Sequence, residues 1–193
     1  ITGNLEHPGI VPVYGLGHYS DGRPYYAMRF IKGDTLRDAI ARFHQSDDSR
    51  DQHAGRELRK LLNRFIDVCN AMEYAHSRKV VHRDIKPSNV MLGEYGETLV
   101  VDWGLAKITT QPEAASAHPE SSVFQQPSDM RETMMGSTVG TPAYMAPEQA
   151  AGDLQRVGAA ADIYSLGATL YNLLTGKPPV MDQSVLQVLE KVQ

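Results

Sequence analysis

Apolar residues recur along the chain at two spacings, and the switches between them mark its elements. Ile10-Val11-Pro12-Val13-Tyr14 is short and β-branched and reads as a strand, broken by Gly15, Gly17 and the Ser20-Asp21-Gly22 turn. Pro24 to Ile31 reads as a second strand ended by Gly33, so the two predict a hairpin. Thr35 predicts a helix N-cap, with Asp38 three residues on in a capping-box position and Leu36, Ala39, Ile40 and Phe43 on one face. The polar run His44 to Gly55 reads as a loop. From Arg56 to about Ser77, Leu58, Leu61, Leu62, Phe65, Ile66, Cys69, Met72 and Tyr74 or Ala75 recur at helical spacing. Val80-Val81 then leads into a polar loop, His82 to Asn89, and a second hairpin folds about Gly93-Glu94-Tyr95-Gly96. Residues 109–137, rich in Ser, Thr, Pro, Gln and acids, form the most loop-like stretch. Ala160 to Thr175 predicts a helix buried on all sides, because Ile163, Leu166, Leu170, Leu173 and Leu174 are joined by small Ala and Gly. Gly176 stands where a glycine ends a helix, with Pro178 beyond, and a last helix runs from Ser184 to Val192. No internal repeat is visible.

Composition narrows the class. The 193 residues are 41% hydrophobic and 22% charged, enough for a sizeable core in one large domain or two small ones. A net charge of -4 argues against a strongly basic nucleic-acid binder, so no nucleic-acid partner is expected. Cys69 is the single cysteine, which excludes an intrachain disulfide. No apolar run reaches the roughly 18 residues of a membrane helix, so no membrane segment is expected within the chain, and a cytoplasmic location is. The first residue is Ile1 rather than Met, which reads as a processed chain or a piece of a longer one.

The chemistry concentrates in His82-Arg83-Asp84-Ile85-Lys86-Pro87-Ser88-Asn89 and in Asp102-Trp103-Gly104, which follows the second hairpin. Side by side, the Asn89 oxygen and the Asp102 carboxylate would make a hard oxygen site suited to Mg²⁺ carrying substrate phosphates. Asp84 is then left for a hydroxyl proton and Lys86 for a phosphate charge. Taken singly, each has a plainer reading: an Asp in a polar loop is usually a turn residue, and a Lys or Asn is usually solvated surface. The joint spacing outweighs those readings. A Lys two residues after the Asp, an Asn five after it and an Asp-Trp-Gly turn beyond a hairpin rarely coincide by chance.

On these motifs the chain resembles the catalytic domain of a protein kinase, of the bacterial Ser/Thr kind. His82 to Asn89 matches the catalytic loop, and Asp102-Trp103-Gly104 sits where the family has Asp-Phe-Gly. Gly140-Thr141-Pro142-Ala143-Tyr144-Met145-Ala146-Pro147-Glu148 matches the close of the activation segment, 102–148. Asp162-Ile163-Tyr164-Ser165-Leu166-Gly167 matches the helix that anchors the large lobe. The resemblance implies an α+β, two-lobed fold. Residues 1–31 would supply the last small-lobe strands and the hinge, and 32–193 the mostly helical large lobe.

It also implies roles. Asp84 would orient the substrate hydroxyl and accept its proton, Lys86 would steady the γ-phosphate of ATP, and Asn89 and Asp102 would hold Mg²⁺. Thr141 would contact Asp84 and Lys86 and favour Ser/Thr hydroxyls. Arg83 would receive an activation-segment phosphate, with Thr133, Ser137 and Thr138 the candidate acceptors and Thr138 the first choice. Asp162 would bind the backbone of the catalytic loop, and His82 and Trp103 would stack in the internal apolar column. Met28 would be the gatekeeper behind the adenine pocket, Arg29 to Ile31 the hinge, and Met91 the floor beneath adenine, both methionines being core. Protein substrates follow as partners, with self-association for autophosphorylation.

Three family features have no counterpart in the chain: the Gly-rich loop over the phosphates, the strand Lys and the helix Glu that pairs with it. Gly15-Leu16-Gly17 lacks a third glycine and reads as a turn. Ile1 to His7 resembles the tail of the helix that bears the Glu, and the arginine that pairs with Glu148 is expected beyond Gln193. A fragment of a longer kinase is expected over a genuinely short gene product; the fragment would be inactive as it stands, and its membrane anchor, where such kinases have one, lies outside this segment. A catalytically impaired interaction module and an antibiotic-type small-molecule kinase are the alternatives. The Gly140–Glu148 segment, a groove for peptides, argues against the latter.

Overall fold

A computed structural model describes residues 5–46, 51–108, 142–153, 155–182 and 184–193. The chain opens with a ribbon of β1 (Val13–His18) and β2 (Pro24–Met28), antiparallel, with an irregularity between Val13 and Gly15. The first strand thus lies later than the apolar run suggests, and Gly15-Leu16-Gly17 is strand, not turn. Two causes explain the shift. Ile10 and Val11 are drawn into the main core, where Val11 N–H donates to Val100 O (3.2 Å) and Val100 N–H donates to Gly9 O (2.8 Å). Gly17 meanwhile lies under the Tyr25 ring: a Cβ there would come within 2.5 Å of it, so the glycine makes room for the aromatic.

β3 (Gly33–Thr35) pairs with β5 (Val90–Gly93), which pairs with β6 (Thr98–Val100), in an antiparallel sheet ordered β3-β5-β6. Gly33 therefore begins a strand rather than ending one. It must be glycine, because a Cβ would sit 2.0 Å from the Leu92 carbonyl oxygen. β4 (Val80–Val81) pairs with β7 (Lys107–Ile108).

α1 (Leu36–Gln45) starts as expected. The Thr35 hydroxyl accepts from Asp38 N–H (3.2 Å) and donates to the Asp38 carboxylate (2.6 Å), and that bond is the first cause holding the carboxyl below its ordinary pKa. α2 (Asp51–Ser77) begins a turn before Arg56. Its polar first turn carries no apolar period, so only the later stripe was legible. Val68, Ala71, Met72 and Ala75 bury completely, whereas Ile66, expected on that face, is exposed. After a short α3 (Pro147–Ala150), α4 (Ala159–Thr175) ends at Gly176 in the left-handed conformation (φ 75°), as the sequence predicts. α4 is not buried all round: Leu166 and Leu173 face the core, and Ile163, Tyr164, Tyr171 and Leu174 stay exposed among the described residues. α5 (Val185–Val192) packs Val188 and Val192 against Ala143.

The main core joins Leu36 and Ile40 of α1, the α2 stripe, Val90, Val100, Ile85, Trp103 and the α4 leucines. It lies directly under the 82–89 loop, so the loop rests on a close-packed floor. No described helix is long and apolar enough to cross a membrane.

Candidate active site

The 82–89 loop leaves β4 and returns into β5 through a helical turn, Pro87–Asn89. Its entry is held by one carboxylate. Asp162, fully buried in the first turn of α4, accepts from His82 N–H (2.9 Å) and His76 Nε2 (2.8 Å) on Oδ2, and from Arg83 N–H (2.8 Å) on Oδ1. Buried peptide N–H groups need acceptors, and a carboxylate at a helix N-terminus is stabilised by the helix dipole. Arg83 sits at φ 72°, a conformation costing an ordinary residue about 1–2 kcal/mol, and the two adjacent N–H bonds hold it there.

His82 is completely buried. Its Nε2 lies 3.0 Å from Val101 O, and its Nδ1 accepts from Asp84 N–H at 3.2 Å. A carbonyl on one nitrogen and an N–H on the other fix the neutral ring with the proton on Nε2. Burial pushes its pKa down in the same sense, opposed chiefly by the Asp162 charge. His82 and Trp103 touch as expected, but tilted rather than stacked, with centroids 4.6 Å apart at 59°. The Trp103 indole finds the partner its N–H requires: Nε1 donates to Val100 O at 3.1 Å.

Asp84 is the convergence point of the loop. Lys86 Nζ donates to its Oδ2 at 2.8 Å, and both side chains are largely buried. Asn89 Nδ2 donates to Asp84 O (2.8 Å) and to Oδ2 (3.0 Å). With its nitrogen so committed, Asn89 keeps Oδ1 as an acceptor without a partner among the described residues. Val101 N–H donates to Asn89 O (3.0 Å), which sets the residue before Asp102 beside Asn89. Asp102 is exposed and left-handed (φ 64°) at the head of the Trp103–Leu105 turn. Tyr26 Oη donates to Asp102 Oδ1 at 3.4 Å, bringing β2 to the site, and burial, then the Asp102 charge, raise the Tyr26 pKa. Among the described residues no cluster of three or more His, Cys, Asp or Glu could hold a metal. Two oxygen donors, Asn89 Oδ1 and the Asp102 carboxylate, fit Mg²⁺ that takes its remaining ligands from phosphates and water, and not an all-protein cage.

Met91 and Ile31 pack against the main core. Met28, expected to be core, is 41% exposed, because β1 is the sole strand paired with β2 among the described residues. Arg29 is tied by its N–H to Pro12 O at 3.2 Å, and its side chain and that of Phe30 are exposed. Arg83 is half-buried; burial lowers its pKa and Asp162 opposes the shift. Glu148 is half-buried in α3. Thr133, Ser137, Thr138 and Thr141 lie outside the described residues.

Sequence reasoning missed three residues. His76 braces Asp162 from the last turn of α2, and Tyr26 reaches Asp102; neither carries a sequence signal. Gln149 donates from Nε2 to Arg83 O at 2.7 Å and accepts Ala146 N–H on Oε1 at 3.2 Å. A Gln three residues past a helix start with Pro at the first position is half a capping box, a signal that was available.

The chain is similar to named proteins over almost all its length. It is 43% identical over 184 residues to serine/threonine-protein kinase PknD of Protochlamydia amoebophila (strain UWE25), covering 93% of this chain and 18% of that protein. It is 39% identical over 185 residues to PknD of Chlamydia trachomatis serovar L2b, covering 91% and 19%. PknD of Chlamydia pneumoniae is 37% identical over 177 residues, covering 91% and 18%. The chain thus spans under a fifth of the length of the curated relatives it matches. The sequence profile of the protein kinase domain matches residues 1–193, and the chain belongs to that family.

Proposed function

We propose that this chain carries the catalytic loop of an ATP- and Mg²⁺-dependent protein serine/threonine kinase. The observation that carries the reading is the Asp84 carboxylate, held on Oδ2 by Lys86 Nζ and Asn89 Nδ2 within a loop anchored by buried Asp162. Oδ1 then receives the proton of a Ser or Thr hydroxyl as its oxygen attacks the γ-phosphorus. The bond from phosphorus to the β-phosphate oxygen breaks, and ADP leaves. Lys86, paired with Asp84, would offset the charge on the transferring group. Asn89 and Asp102 would hold Mg²⁺, which when bound would neutralise phosphate charge. Relatives named as Ser/Thr kinases support hydroxyl acceptors on proteins. An interaction module without chemistry has no use for this arrangement.

In this reading residues 1–31 belong to the small lobe and hinge, 32–193 to the large lobe, and Met28, Arg29, Ile31 and Met91 border the adenine. Thr141 accompanies Asp84 and Lys86. The protein works on the ATP-containing, cytoplasmic side, with any anchor elsewhere. Arg83 pairs with a phosphate placed on Thr133, Ser137 or Thr138 by a second copy of the kinase. Phosphopeptide mapping tests that regulation: full activity after all three are changed to Ala, with no phosphate in 105–140, removes it. Asp84→Asn in the full-length protein tests the chemistry. It should cut the rate by about 10² to 10⁴ with nucleotide affinity kept. Near-normal phosphorylation by that variant would sink the assignment.

A further inference from the structure

We infer that Gln149 is a positioning residue through which the end of the activation segment holds the Arg83–Asp84 peptide, and with it the Asp84 carboxylate, in working orientation. The inference rests on the kinase reading above and extends it to a residue outside the catalytic motifs.

The Arg83–Asp84 peptide group is bound at both ends. Its carbonyl accepts from Gln149 Nε2 at 2.7 Å, and its N–H donates to His82 Nδ1 at 3.2 Å. The preceding N–H, that of Arg83, is held by Asp162 at 2.8 Å. Two elements thus fix this peptide plane, α3 and the loop itself, and α4 fixes the plane before it. The plane needs fixing, because Arg83 is left-handed at φ 72° and an unheld peptide relaxes by rotating. Rotation about the bonds flanking that plane swings the Asp84 side chain away from Lys86 and Asn89.

An amide is the side chain this position requires. Oε1 takes the Ala146 N–H at 3.2 Å and closes the N-terminus of α3, while Nε2 reaches a carbonyl 66 residues back in the chain. The segment has its own anchor besides: Ser165 Oγ donates to Tyr144 O at 2.8 Å, tying it to α4. Gln149 is therefore not needed to dock the segment. Its remaining bond transmits where Ala146–Gln149 lies to the peptide that carries Asp84.

Gln149→Glu separates the two bonds. A carboxylate still accepts the Ala146 N–H, but it offers no donor and turns an oxygen toward the Arg83 carbonyl. Gln149→Met keeps the length and removes both bonds. In the full-length kinase each variant should lower kcat per folded molecule about tenfold or more, Glu more than Met, with KM for ATP·Mg²⁺ within about twofold. Hydrogen exchange at the Asp84 amide should quicken about tenfold in both, a readout that needs no turnover. Wild-type kcat together with wild-type Asp84 protection in both variants overturns the inference. So does a loss confined to thermal stability with kcat per folded molecule unchanged, which would leave Gln149 as a helix cap. The kinase reading fails separately: an active Asp84→Asn refutes it, while the Asp84 exchange rate still decides what Gln149 holds.

Discussion

Replacing Asp162 with Asn removes a charge and one acceptor from a site where three donors meet, without changing side-chain size. Asp162 is fully buried and accepts His82 N–H, Arg83 N–H and His76 Nε2 at 2.8–2.9 Å. The Asn amide nitrogen must face at least one of these donors. Turned toward Arg83 it leaves that buried N–H without a partner, at about 1–3 kcal/mol. The two bonds left on the oxygen lose their charge assistance, about 1 kcal/mol each. The neutral side chain is easier to desolvate, which returns part of the loss. The net expectation is a kinase domain destabilised by about 2–4 kcal/mol. Activity should fall further than stability, because Arg83 at φ 72° relaxes once its N–H is released and carries the Asp84 peptide with it. Urea unfolding of Asp162→Asn against wild type measures the first effect, and hydrogen exchange at the His82 and Arg83 amides localises it. A change under about 0.5 kcal/mol with both amides still protected refutes the reasoning, since those N–H groups would then have other acceptors.

Acid stability should depend on His82. Its folded pKa lies below the ordinary 6.5, so the unfolded chain binds the extra proton; stability is intact above about 6.5 and declines as pH falls, by at most about 1.4 kcal/mol per pH unit. His82→Phe should flatten that limb of a pH series of unfolding free energies, and an unchanged slope would assign the sensitivity to other groups. Gly33→Ala should cost several kcal/mol, on the order of a disrupted strand pair, since its Cβ would meet Leu92 O at 2.0 Å. Loss of amide protection in the β3–β5 pair, with α4 unaffected, is the expected signature, and wild-type stability would mean that β3 shifts without cost.

What the sequence made legible was local or rested on joint spacing. Thr35 with Asp38, and Gly176 after a run of helical period, each encode a helix end within a few residues, and both ends form as read. Asp84, Lys86 and Asn89 are close in sequence and close in space, so their convergence followed from one short loop. The errors arise where a neighbour distant in sequence decides. Ile10 and Val11 are apolar enough for either strand, and Val100 claims them. Met28 and Ile66 are apolar residues whose exposure depends on what lies opposite, which no period records. The α2 start was hidden for another reason: a polar first turn gives no hydrophobic signal. His76 acts through one hydrogen bond to a residue 86 positions away, which no local pattern records; the helix-cap role of Gln149 was legible, but its bond to Arg83 O, 66 positions back, was not.

The neutral state of His82 links the fold to the chemistry. The ring spends one nitrogen as donor, to Val101 O, and the other as acceptor, from Asp84 N–H. An imidazolium has no acceptor, so protonation would set N–H against N–H at the peptide that carries Asp84. Burial, which keeps the ring neutral, therefore also keeps that peptide satisfied. Asp162 could favour the charged ring, but two of its bonds go to backbone N–H groups and the third to His76, not to the His82 ring. One apolar floor thus serves two ends: it supplies the contacts that hold the loop, and it fixes the protonation state that lets the loop's hydrogen bonds close around Asp84.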